Sequence, residues 1–197
     1  MSLLIVGLIL FLGIHALNIV SPRQRAALID RMGQKAWKLL FSVVSAVGLL
    51  LIVQGYATAR IEPVWVWMPP TGLRHLVLLL TIPAFILFVA AYIPGNRIKA
   101  KLGHPMLVGV KIWAFSHLLA NGSLADIMLF GSFLIWAIAG FAVLRRRDRL
   151  YGKTSPAGTL QADIISIATG LVAWAFFAMV LHTLLIGVSP LPFVTDQ

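Results

Sequence analysis

The side chains of this chain with the types and positions for chemistry are its five histidines and one lysine nearly two turns inside an apolar run, Lys111. His15, Lys111 and His117 sit inside apolar stretches, and His75, His104 and His182 lie nearer the ends of such stretches. A polar group at membrane depth is costly, which makes each a functional candidate. There is no cysteine, so disulfides, thiolate ligation and c-type haem attachment are excluded. The remaining soft or borderline metal ligands are the five His and six Met. Each candidate also has a plain structural reading. His15 can hydrogen-bond to a neighbouring helix, with Asn18 three residues on to orient its ring. His117 shares a helical stripe with Met106, Val110 and Trp113, a pattern typical of packing. Lys111 can snorkel toward the start of its helix or pair with an anionic group such as a haem propionate. His104, just before Pro105, reads as an interfacial cap that can also bind metal, and His75 reads as a headgroup contact.

These residues are carried by elements that lipid must shelter. The chain is 60% hydrophobic and 11% charged, with a mean hydropathy of +0.95. A soluble core of 197 residues cannot bury that much apolar surface. A span needs about twenty apolar residues, and six stretches qualify: residues 2–20, 37–59, 74–93, 105–120, 123–144 and 163–187. The expected fold is all-α, a polytopic transmembrane bundle of about six helices forming one domain over residues 1–197. The first run has neither a basic start nor a small-x-small site after it, so it reads as a span and not as a signal peptide.

Charge gives the orientation. Arg23, Arg25, Arg31, Lys35 and Lys38 lie at the first connection, Arg97, Lys99 and Lys101 at the third, and Arg145, Arg146, Arg147, Arg149 and Lys153 at the fifth. Only Arg60 and Arg74 lie at the opposite connections. The positive-inside rule places the basic side in the cytoplasm and both termini in the periplasm. The net charge of +10 then reflects cytoplasmic loops facing anionic lipid, and no nucleic-acid-reading fold accompanies it. Trp65 to Pro70 reads as an interfacial aromatic belt. Phosphate-binding glycine loops, H-E-x-x-H, G-x-S-x-G and paired membrane carboxylates are missing. Asn121-Gly122-Ser123 fits the glycosylation pattern but abuts a span.

Residues 94–122 open with Pro94-Gly95-Asn96-Arg97 and include His104-Pro105, Lys111, Trp113 and His117. This block resembles the NnrU family of bacterial inner-membrane proteins. Gly13-Ile14-His15-Ala16-Leu17, Gly55-Tyr56 with Ala59-Arg60, and Arg74-His75-Leu76 resemble it too. The resemblance implies a link to nitrite and nitric oxide metabolism in denitrifiers. It extends to the ζ-carotene isomerase of plants and cyanobacteria, a membrane enzyme with b-type haem and histidine-based ligation. By that resemblance, His15 and His117 are the axial ligands of a haem b held between the first and fourth helices. Lys111, Arg97 or Arg74 then serve as propionate partners. The helices themselves leave another pair open. At 1.5 Å per residue, His15 lies roughly 8 Å, and His117 roughly 18 Å, from the cytoplasmic ends of their helices. Unless the fourth helix tilts or shifts, His15 and His104 are the pair at matching depth, with His75, His117 and His182 toward the outer side.

The first functional expectation is therefore a haem-b membrane protein with nitric oxide-linked redox chemistry or isomerase-type chemistry on a hydrophobic polyene, partnered by redox or denitrification proteins. The second is a non-catalytic accessory or regulatory protein for denitrification enzymes. A small transporter comes third, hinted at only by Pro83.

Overall fold

The computed structural model describes residues 1–70, 72–153 and 156–190; the side chains of Asn18 and Arg74, to which the sequence reading gave roles, lie outside the described ones. Helix α1 (Ser2–Val20) turns at Ser21 into α2 (Pro22–Ala59), and the two pack antiparallel along their length. Glycine makes this approach possible. A Cβ on Gly7 would fall 2.6 Å from Ile52 N, one on Gly48 would fall 2.8 Å from Phe11 N, and one on Gly55 would meet the Leu4 backbone. Small residues that let backbones touch are the usual means of helix association in lipid, where hydrophobic burial gives no drive.

Further along, α3 (Gly72–Tyr92) carries Pro83 inside it. The short α4 (Arg97–Leu102) is capped by Asn96, whose side chain accepts from Lys99 N at 2.6 Å. Helix α5 (Pro105–Ala120) starts on a proline at a first-turn position, where the missing N–H costs nothing. Helix α6 (Leu124–Leu150) opens with a capping box between Ser123 and Asp126. Helix α7 (Leu160–Phe176) runs through a π turn at Phe177–Leu181 into α8 (His182–Ile186), which stops at left-handed Gly187.

The packing order is α2, α1, α6, α5, α3, α7, with α6 joining the α1–α2 hairpin to the α3–α5–α7 group. A buried cluster of Leu4, Leu8, Ile52, Ala114, Ala125, Leu129 and Phe130 forms the shared core. Outside it, large apolar side chains such as Leu50, Ile135, Val172 and Leu184 stand exposed, an outer surface suited to lipid and not to water. Four helical runs are long and apolar enough to cross a membrane: Pro22–Ala59, His75–Tyr92, Leu124–Leu150 and Leu160–Ile186. Ser2–Leu17 and Pro105–Ala120 are apolar but shorter. The chain is thus an all-helical, multi-pass membrane protein, with no strand among the described residues.

One local expectation changes. The basic connection after the first helix is helical and not a loop, because α2 begins at Pro22 and is interrupted only at Gly33 (φ 82, ψ 156). Such a backbone conformation suits glycine, and it turns residues 22–32 into an arm set off from the rest of α2. Arg97–Leu102 likewise adds a helical turn to the basic face, and α6 continues past residue 144 to Leu150.

Candidate functional site

Toward the basic end of the bundle a cavity of about 680 Å³ opens between α1, α2, α5 and α6. The direction of each helix orders its lining. Ile19 on α1, Leu144 on α6 and His104 on α5 lie toward the basic face. His15, Trp136 and Phe41 lie deeper. The arm and the start of α2 contribute Arg25, Gln34, Trp37 and Lys38, and α4 contributes Lys99.

His15 is held by its own helix. Its Nδ1–H donates to the Phe11 carbonyl at 2.6 Å, which leaves Nε2 as the lone pair available to a ligand. The ring stacks on Phe11 at 4.3 Å and lies 4.9 Å from Phe41 and 6.4 Å from Trp136, edge-on to the last. His104 is fixed from the other side. Left-handed Gly103 ends α4 and makes His104 the residue before α5. Its Nε2 meets Asp148 Oδ2 at 2.8 Å, and Lys153 Nζ lies 3.9 Å from the other carboxylate oxygen. A carboxylate behind a histidine fixes its tautomer and orientation, and here the ring nitrogen left over is Nδ1.

The cations of the cavity have no acidic counterpart among its lining residues. Arg25 lies over the Trp37 ring at 6.0 Å, and Lys99 Nζ donates to the Ala91 carbonyl at 2.7 Å. Trp136 Nε1 is buried with no hydrogen-bond partner, as is Ser45 Oγ on α2. A buried donor without a partner is costly; the Trp136 residue lines the cavity, while its Nε1 is buried away from solvent.

His117, Lys111 and His75 are not among the lining residues. His117 Nδ1–H donates to the Trp113 carbonyl at 2.8 Å, which again leaves Nε2 free. Its ring packs on Phe130 at 4.7 Å and Trp113 at 5.3 Å. From His15 to His117 the path runs ring by ring through Phe11, Phe133 and Trp113, with centroid steps of 5.8 and 5.6 Å between those three. Lys111 Nζ sits 3.8 Å from the centroid of Phe141, the ring that His104 meets edge-on at 6.4 Å. It therefore reaches toward the basic face, in the snorkelling direction. His75 is exposed near the start of α3, and His182 Nδ1–H donates to the Val188 carbonyl. Among the described residues no three His, Asp or Glu side chains converge as a metal cluster.

Sequence reasoning missed the α2 contribution. Trp37 and Phe41, four residues apart beside Arg25 and Lys38, were its only signal. It also missed a second buried polar unit near the opposite end. There the Tyr56 hydroxyl donates to Asp126 Oδ1 at 2.6 Å, and Asp126 Oδ2 accepts from Ser123 N and Oγ.

The bundle and its cavity define a class: a multi-pass helical membrane protein with a histidine-bearing pocket open toward its basic end. The family model described as NnrU protein matches residues 3–190, and the chain belongs to that family. No curated protein and no solved structure matches it.

Proposed function

We propose that the chain is a haem-b protein of the bacterial inner membrane, with its basic face toward the cytoplasm, and that the cavity is where the haem is held. The observation that carries this reading is His15, which presents a free Nε2 in a cavity walled by Phe41, Trp37, Trp136 and Met106. The volume lies within the range of about 300–1,000 Å³ common to cofactor pockets. His15 would hold the haem iron through Nε2. His104 stands on the α5 wall with Nε2 engaged by Asp148, so Nδ1 is the nitrogen it would turn to the group. The rings of Trp37, Phe41 and Trp136 would give the group an apolar wall.

A haem in this setting supplies a reversible one-electron couple and an iron at which a small ligand such as nitric oxide can bind. The protein's part would be to fix the imidazole and hold the group against an apolar wall, where it could meet nitric oxide or a flat hydrophobic polyene. Redox or denitrification proteins are the natural partners of such a couple.

A reduced-minus-oxidised visible spectrum of detergent-purified protein from a haem-replete host tests this. The wild type shows b-type bands, His15→Ala loses them, and His117→Ala keeps them. Protein without haem returns the chain to an accessory role. Loss of the bands on His117→Ala, with retention on His104→Ala, moves the ligand set to His15 and His117.

A further inference from the structure

We infer that Arg25, Lys38 and Lys99 are the anion-recognition set of the cavity, and that what they bind is the pair of carboxylates on an otherwise flat, apolar ligand. This rests on the haem reading and specifies it.

The argument is one of charge and place. The lining carries three permanent cations and two histidines, and no Asp or Glu. Two acids around the cavity already have partners, and Asp30 of the arm is not a lining residue. Asp148 is taken by His104 and Lys153, and Asp163 accepts from the Arg97 and Ile98 amides of α4. Uncompensated positive charge over a low-dielectric pocket focuses an attractive field on anions. A guanidinium or ammonium facing a carboxylate makes the strong, charge-assisted kind of hydrogen bond.

The cations are also segregated. Arg25 and Lys38 lie on the arm and the opening of α2, and Lys99 lies on α4, all on the basic side. Phe41 and Trp136 lie deeper, beside His15. A ligand that fits this gradient is amphiphilic, with its anionic edge outward and its apolar body inward. Arg25 comes from the far side of the Gly33 break, so the arm brings one of the three cations over the pocket. Lys111, the propionate partner suggested by resemblance, points instead at Phe141.

The test compares haem with haem dimethyl ester, which keeps the iron and ring but lacks the carboxylates. Apoprotein is titrated with each in a neutral detergent. Wild type prefers haem by about tenfold or more, the scale of charge-assisted bonds lost. The R25Q/K38Q/K99Q variant brings the two affinities to within about threefold of each other by weakening haem alone. The charge-conserving R25K/K38R/K99R variant and Lys111→Gln keep the wild-type preference, which separates recognition from misfolding. Equal binding of haem and its ester by wild type overturns this inference and leaves the haem reading standing. Binding of neither overturns the haem reading itself. A lipid phosphate offers the same charge, so the titrations are repeated with phosphatidylglycerol. Abolition of the haem preference by that lipid assigns the cations to headgroups and overturns the inference.

Discussion

Asp126 shows how much rests on single side chains in this bundle. It is buried, 6% exposed, and three donors surround its carboxylate: the Tyr56 hydroxyl, the Ser123 amide and the Ser123 hydroxyl. A buried carboxylate that loses one of its donors keeps its desolvation cost, so Tyr56→Phe is expected to destabilise the protein by about 1.5–3 kcal/mol. The readout is the thermal unfolding midpoint in detergent, and an unshifted midpoint would show that the pair contributes nothing. In its local sequence Asp126 is only an acid in the first turn of α6. Its partner lies 70 residues earlier, a pairing that no local pattern carries. His15 and His104 are a different case. Their shared depth follows from loop charge and helical rise, and they do line one cavity. Arg25 and Lys38 were legible only as loop charges, because the helical arm that places them depends on a backbone turn at Gly33.

The α1–α2 hairpin depends on glycine at the level of the element. Gly7, Gly48 and Gly55 leave no room for a side chain, whereas a Cβ on Gly13 of the same helix α1 meets nothing within 4 Å. Gly55→Leu is therefore expected to part the hairpin, costing about 1–3 kcal/mol or more by overpacking. Gly13→Ala should be neutral or stabilising by up to about 1 kcal/mol, since it only removes glycine's backbone entropy from a helix interior. Detergent melts of the two variants side by side check this, and equal midpoints would refute the seam. All six apolar runs of the sequence are helical, but only four are long and apolar enough to cross a membrane, Ser2–Leu17 and Pro105–Ala120 being shorter. The boundaries at residues 22–36 and 97–102 were not legible in the sequence, since short basic helices at a membrane surface have no apolar period long enough to register. The π turn at Phe177–Leu181 likewise leaves no mark in composition.

For the whole molecule, the side that the cationic end of the cavity faces decides from where its ligand arrives. The basic connections fall at one end: Arg97 to Lys101 with α4, Arg145 to Arg149 at the end of α6, and the arm of α2. The other end carries the turn 61–70, where Val66 N donates to the Gly122 carbonyl and docks the tryptophan-bearing segment on the α5–α6 turn. Transfer of Lys- and Arg-rich short connections across a membrane is opposed during insertion, so the expected orientation has the basic end inside. The chain has no cysteine, so one introduced thiol reports its own side without background. Tyr151 and Ile61 are both highly exposed, 81% and 77%, at opposite ends of the bundle. On intact cells, Ile61→Cys is expected to react with a membrane-impermeant maleimide, and Tyr151→Cys only after permeabilisation. The reverse pattern would turn the molecule over. It would place Arg25, Lys38 and Lys99 outside and require the ligand of the cavity to arrive from the periplasmic leaflet.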